Sequence, residues 1–69
     1  MNEVIKLSKK YIAGDATVYA KLLNAIEHAC QITNCHTDAF RVLSGMHDAL
    51  NDDDDDDFEY EFERLLDLL

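Results

Sequence analysis

Residues 15 to 30 read DATVYAKLLNAIEHAC and carry the clearest structural signal in the chain. Their apolar side chains recur every three or four residues, which is the spacing of one face of an α-helix. The residues on this face are Val18, Tyr19, Leu22, Leu23, Ile26, Ala29 and Cys30. Asp15 or Thr17 can cap the start of the helix, and Asn34 is expected to stop it. We predict that this helix forms the centre of the core.

The segment before it predicts another helix. Its apolar residues at helical spacing are Val4, Leu7 and Tyr11, with Ile5 and Ile12 beside them. Asn2 can cap the start, Lys9 and Lys10 lie in the last turn, and Gly14 suits the left-handed position after the end. A strand over Val4–Leu7 is the alternative.

The segment after it predicts a third helix, with Thr37 as its cap. The apolar residues on one side are Ala39, Phe40, Leu43, Met46 and Leu50. Gly45 lies in the middle, where glycine costs about 1 kcal/mol relative to alanine. We expect Gly45 either to permit a close contact with another helix or to mark a kink.

The last segment is ambiguous at its start. Phe58, Tyr60 and Phe62 alternate as they would in a strand, but a longer helical spacing continues beyond them. The residues at helical spacing are Phe58, Phe62, Leu65, Leu66 and Leu69. We favour a helix, with Asp55, Asp56 and Asp57 at or before its first turn. The fold prediction is therefore all-α, a compact bundle of three to four short helices.

The length of 69 residues allows one small helical domain, residues 1–69, with an acidic C-terminal segment, 51–69. Neither a membrane-spanning run nor a secretory signal is evident, so we expect a cytoplasmic protein. Cys30 and Cys35 are expected to be reduced thiols. A domain of this size and leucine content could also form a homodimer.

The charge is distributed very unevenly. Residues 1–50 contain five acidic and five basic side chains, whereas residues 51–69 contain ten acidic side chains against Arg64 alone. The whole net charge of −9 therefore comes from the last nineteen residues. Such a surface repels nucleic acid, so direct nucleic acid binding is not expected, and it attracts basic proteins that bind nucleic acid.

Rows of carboxylates on a helix can imitate the phosphates of DNA, because side chains three or four residues apart lie about 5 to 6 Å apart. Glu59 and Glu63 form such a row, and Asp67 extends it. The residues predicted to contact a basic partner are Asp53, Asp54, Asp55, Asp56, Asp57, Glu59, Glu61 and Glu63. Phe58, Phe62, Leu65 and Leu66 are expected to hold the helix to the core. The alternative is a solvated loop that only keeps the protein soluble.

A small helical chain with carboxylates concentrated between Asp52 and Glu63 resembles the phage-encoded inhibitors of DNA-binding machinery, including the anti-CRISPR proteins. The resemblance covers size, net charge and roughly the last third of the chain, and it transfers no individual residue. It implies a DNA mimic that inhibits by occupation without catalysis. The implied partner is a basic nucleic-acid-binding protein, with a subunit of a CRISPR-Cas surveillance complex as one candidate, in the host cytoplasm if the protein is phage-encoded.

A second hypothesis follows from the apolar residues of the same segment. Acidic residues interleaved with aromatic and leucine side chains are typical of amphipathic helices that dock in a partner's groove. The protein would then be an interaction module of the antitoxin or activator type. Burial of the aromatic residues within the domain would favour mimicry, and their exposure would favour the docking helix.

The aspartate run partly matches the calcium-binding loop of an EF-hand. Counting from Asp52, carboxylates fall at positions one, three, five and twelve, at Asp52, Asp54, Asp56 and Glu63. The sixth position is Asp57, where the turn of this loop requires glycine. The pattern therefore does not predict a calcium site.

Zinc and catalysis have less support. Four potential zinc ligands, His28, Cys30, Cys35 and His36, occur within nine residues, but their spacing fits no standard zinc site. No phosphate-binding glycine loop and no nucleophile with a matching base are present. We expect no enzyme activity, no metal and no cofactor.

Overall fold

The computed structural model describes all 69 residues. It contains four α-helices and no strand: α1, Asn2–Ile12; α2, Tyr19–Ile32; α3, Asp38–Asn51; and α4, Asp55–Leu68, with a 3₁₀ turn, Ala16–Val18, before α2. The prediction of an all-α bundle of three to four short helices is confirmed. The strand alternatives for Val4–Leu7 and for the start of α4 are wrong, since both segments are helical.

The helices pack mainly with their neighbours in sequence. α3 lies against both α2 and α4, and α2 lies against α1, whereas α1 has few contacts with α4. The buried apolar residues form one cluster: Val4, Leu7, Val18, Leu22, Ile26, Ala29, Val42, Leu43, Met46, Ala49, Leu50, Phe58, Phe62 and Leu65. Four of them come from α2 or the turn before it, but five come from α3, which is the helix that packs against both α2 and α4. The predicted central place of α2 therefore belongs to α3. The side between α1 and α4 is the least closely packed.

The start of α1 differs from the prediction. Asn2 already belongs to the helix, and Met1 is the N-cap because its carbonyl oxygen accepts from the Ile5 N–H at 3.2 Å. Asn2 is therefore not the cap, and no side chain caps this end. At the other end Gly14 has a φ of +106°, the left-handed conformation expected after the helix.

The start of α2 is built in two steps. The Asp15 carboxylate accepts from the Thr17 N–H at 3.0 Å and so caps the 3₁₀ turn. Hydrogen bonds from the Thr17 hydroxyl and from the Thr17 N–H lower the pKa of Asp15. The helix proper begins afterwards at Tyr19, without a side-chain cap. Of the two predicted caps, Asp15 makes the contact, and Thr17 is the residue it caps.

The connection between α2 and α3 follows the predicted signals closely. α2 ends at Ile32, and Asn34 forms the turn that follows by accepting from the His36 N–H at 2.9 Å. Thr37 caps α3, as predicted, because its hydroxyl oxygen accepts from the Phe40 N–H at 3.3 Å. This turn lays α3 back along α2.

Gly45 lies within α3 and permits a close contact with another helix, which is one of the two roles expected for it. A Cβ atom at this position would lie 2.7 Å from Oε2 of Glu61 on α4. The absence of a side chain at Gly45 therefore makes room for the Glu61 carboxylate between the two helices.

Candidate functional site

The six consecutive aspartates connect α3 to α4 and then continue into α4. Asp52 follows the last residue of α3, and Asp53 has a φ of +55°, which aspartate tolerates better than most residues. Asp54 caps α4 by accepting from the Asp57 N–H at 3.1 Å. The run is thus an ordered turn and the first turn of a helix, and the prediction for Asp55, Asp56 and Asp57 is confirmed.

Local contacts make this concentration of charge tolerable. The positive end of the α4 dipole favours carboxylates in the first turn. Asp55 in addition accepts a hydrogen bond from the Tyr11 hydroxyl, with 2.9 Å between the oxygen atoms. Burial, together with this bond to Asp55, raises the pKa of Tyr11 to about 12. Tyr11 therefore fixes the first turn of α4 against the end of α1.

The predicted contact residues occupy the exposed surface, with one exception. Asp53, Asp54, Asp55, Asp56, Asp57, Glu59 and Glu63 are all exposed. Along α4, exposed Asp56, Glu59, Glu63 and Asp67 follow one another at intervals of three or four residues. This spacing places neighbouring carboxylates on one side of the helix, about 5 to 6 Å apart. We call the exposed carboxylates of this region the acidic surface: Asp52, Asp53, Asp54, Asp55, Asp56, Asp57, Glu59, Glu63 and Asp67.

Glu61 is the exception. Its side chain is only 15% exposed, because it lies over Gly45 and forms an ion pair with Arg64 at 3.6 Å. The guanidinium of Arg64 also lies over the Tyr60 ring, 5.9 Å from its centroid. Glu61 is thus a helix–helix contact residue, and its expected place among the outward-facing acids is wrong.

The remaining charge is not neutralised within the chain. The structure contains one ion pair, Arg64 with Glu61, and a hydrogen bond between His47 and Glu27, and neither contact contains a lysine or an aspartate. Pairing of the N-terminal lysines with the acidic segment within the chain, which is one arrangement that the sequence allows, does not occur. The carboxylates of the acidic surface are therefore available to an external partner.

The residues expected to hold α4 to the core do so, again with one exception. Phe58, Phe62 and Leu65 are buried, and the Phe58 ring meets the Tyr11 ring edge-on with 5.4 Å between centroids. Leu66 is 39% exposed, so its predicted core position is wrong. A helix turns by about 100° per residue, which carries Leu66 away from the buried face of Leu65 toward the open side between α1 and α4.

The carboxylate positions of the EF-hand pattern do not form such a loop, because the chain is helical from Asp55 onward. The structure brings no group of three or more histidine, cysteine, aspartate or glutamate side chains into an arrangement that could hold a metal ion. This holds for the acidic surface and also for His28, Cys30, Cys35 and His36. Both cysteines are free thiols.

Comparison with protein-family models, curated proteins and solved structures finds no match to this chain. No helix has both the length and the apolar character needed to cross a membrane.

Sequence reasoning missed a second feature, a cleft of ≈ 340 Å³ between α2 and α3. Along its edge, His47 bonds through Nε2 to Glu27 at 3.0 Å and through Nδ1 to Asn51 at 3.1 Å. Burial raises the pKa of the Cys30 thiol in the same cleft, and a hydrogen bond with Ser44 opposes that rise. The contributing residues lie on different helices, and the only sequence signal was that His47 and Asn51 are four residues apart.

Proposed function

We propose that this protein is a non-enzymatic inhibitor whose acidic surface takes the place of DNA and blocks a nucleic-acid-binding protein. The observation that carries the proposal is that the carboxylates of the acidic surface are exposed, lie on helical or turn backbone, and form no ion pair within the chain. A CRISPR-Cas surveillance complex is the target class that the resemblance to anti-CRISPR proteins suggests.

The spacing of the acidic surface supports this role physically. Successive phosphates of one DNA strand are about 3.4 Å apart along the axis, and every second phosphate is thus about 7 Å away. Carboxylates four residues apart on a helix rise by about 6 Å, a comparable interval. Lysine and arginine side chains that bind phosphates can therefore form charge-assisted hydrogen bonds with Glu59, Glu63 and their neighbours.

The docking-helix hypothesis has less support. The outcome is mixed, because Tyr60, Leu66, Leu68 and Leu69 are exposed. Phe58, Phe62 and Leu65, however, form an apolar face of α4 that is buried in the protein's own core. Offering this face to a partner's groove would require α4 to leave the domain and expose it to water. The carboxylates of the acidic surface, by contrast, are accessible without any rearrangement.

A pull-down from bacterial lysate at low and high salt tests the proposal. One variant removes three charges of the acidic surface through Asp53→Asn, Asp56→Asn and Glu63→Gln, and leaves the Asp54 cap and the Tyr11–Asp55 bond intact. Asparagine also tolerates the left-handed backbone at Asp53. The matched control removes three charges from the rest of the chain: Glu3→Gln, Asp38→Asn and Asp48→Asn.

The expected result is a DNA-binding protein that the native chain and the control retain at low salt. High salt and the acidic-surface variant should both release it, because each removes the same electrostatic attraction. The purified partner should also lose DNA binding when this protein is added in stoichiometric amount. Equal retention of the partner by both triple variants, or DNA binding that persists in the presence of the inhibitor, would refute the proposal.

A further inference from the structure

An apolar groove runs along the open side between α1 and α4. Tyr11 at the end of α1 meets Asp55 at the start of α4, so the two helices are antiparallel. A cavity of ≈ 240 Å³ lies beside Ile12, Phe62 and Leu66, and another of ≈ 140 Å³ lies beside Tyr11, Gly14 and Asp55. Ile12 and Glu59 line both cavities, which are therefore adjacent, and we refer to the two together as the groove.

The groove leaves apolar surface exposed to water. Ile12 is 38% exposed and Leu66 is 39% exposed, although both lie beside the buried Phe62. A surface that imitated only phosphates would need no apolar floor. The groove thus offers a contact that lysine and arginine side chains alone do not use.

One rim of the groove is acidic. Asp55, Glu59 and Glu63 are four residues apart along α4, so they form a single row beside the groove. Lys9 on α1 lies beside the larger cavity together with Glu59 and Glu63, and it forms no ion pair with them. Three carboxylates against one ammonium group favour an occupant that is positively charged.

We propose that this groove receives a basic amphipathic helix of the protein partner, an inference that rests on the proposed function and specifies the chemistry of its target. An apolar side chain of that helix packs between Ile12 and Leu66, and its flanking lysine or arginine side chains pair with Glu59 and Glu63. This is the helix-in-groove mode of recognition, with a basic helix matched to an acidic rim. A second copy of this chain fits poorly, because each copy has a net charge of −9 and would bring its own acids to the rim.

Two synthetic peptides of equal length and equal positive charge serve as probes. One carries lysines with leucines at helical spacing, and in the other every leucine is replaced by serine. Their affinities are measured by calorimetry at low salt for the native chain and for Leu66→Asn. The matched control is Leu69→Asn, since Leu69 is an exposed leucine at the end of the same helix and lies outside the groove. Circular dichroism establishes that each variant is folded.

The native chain should bind the leucine-containing peptide at least about tenfold more tightly than the serine-containing one, which is the effect of burying one leucine side chain. Leu66→Asn should abolish this difference, and Leu69→Asn should preserve it. Amide resonances of Ile12 and Phe62 should shift only with the leucine-containing peptide.

Equal affinity for the two peptides, or an unchanged difference in Leu66→Asn, would refute the proposal that the groove binds a helix. The proposal for the acidic surface would be unaffected. A lack of binding to either peptide would overturn both, because the acidic surface must attract polycations at low salt. The two failures are therefore distinguishable.

Discussion

The Glu61 carboxylate occupies the space that a side chain at Gly45 would fill. A Cβ atom at Gly45 would lie 2.7 Å from Oε2 of Glu61 and 3.3 Å from its Cγ. Arg64 forms an ion pair with the same carboxylate, with 3.6 Å between its nitrogen and Oε1 of Glu61. The contact between α3 and α4 therefore combines a glycine on α3 with a largely buried glutamate on α4.

This relationship predicts coupling between the two positions. Gly45→Ala should stabilise a Glu61→Ala background by about 1 kcal/mol, the difference in helix propensity between glycine and alanine. In the native background the gain should be smaller by at least about 0.5 kcal/mol, because Glu61 must move. Urea unfolding of the native chain, of Gly45→Ala, of Glu61→Ala and of the double variant measures this coupling. The same free-energy change in both backgrounds would show that the close approach carries no energetic cost.

The stability contributed by the hydrogen bond between Tyr11 and Asp55 should depend on pH, and the variant Tyr11→Phe tests this. The folded-state pKa of Tyr11 is raised from 10.0 to about 12. The unfolded chain therefore loses this proton first, so the stabilisation is fully present below pH 10 and is lost as the pH rises toward 12. Below pH 10 the variant should be less stable by about 1 kcal/mol, the usual net contribution of one hydrogen bond.

The measurement is the free energy of unfolding of the native chain minus that of Tyr11→Phe, followed across this pH range. The difference should shrink as the pH rises above 10. Tyr60→Phe is the control, because Tyr60 is 57% exposed and donates no hydrogen bond within the chain. A pH-independent difference for Tyr11→Phe, or the same trend for Tyr60→Phe, would contradict the assignment.

The sequence predicted local features well because they depend on neighbouring residues. Thr37 as a cap, Gly14 in the left-handed region and the helical periodicity of α4 are set by side chains within a few positions. Glu61 and Leu66 were misplaced because their exposure depends on the angle at which α4 meets α3 and α1. Periodicity gives the apolar face of a helix, but not how much of its edge a neighbour covers.

The same distinction applies to the candidate site. The acidic surface was predictable, because its charge comes from acidic residues that are close together in the sequence. The groove beside it was not, because it arises from loose packing between the first and last helices. No pattern in either helix alone reveals that Ile12 and Leu66 share a cavity.

Asp54 should contribute to stability as a cap, apart from its contribution to charge. Asp54→Ala should destabilise the protein by about 1 kcal/mol, the usual cost of losing a side-chain cap. Asp54→Asn removes the same charge but keeps the capping oxygen, so it should be nearly neutral. Thermal unfolding at one salt concentration measures both variants. Equal effects of the two changes would indicate that Asp54 affects stability through its charge and not through the hydrogen bond from the Asp57 N–H.

Two adjacent leucines provide the most direct test of how α4 packs. Leu65 is fully buried, whereas Leu66 lies at the open groove. Leu65→Ala should therefore cost about 2 to 5 kcal/mol, through lost burial and the cavity left behind. Leu66→Ala should cost less than about 1 kcal/mol, because water already reaches the side chain. A domain of this size is stable by only roughly 3 to 10 kcal/mol, so Leu65→Ala should lower the urea midpoint sharply or unfold the chain. Similar midpoints for the two variants would mean that α4 is rotated from the orientation described, and the groove would then lose its floor.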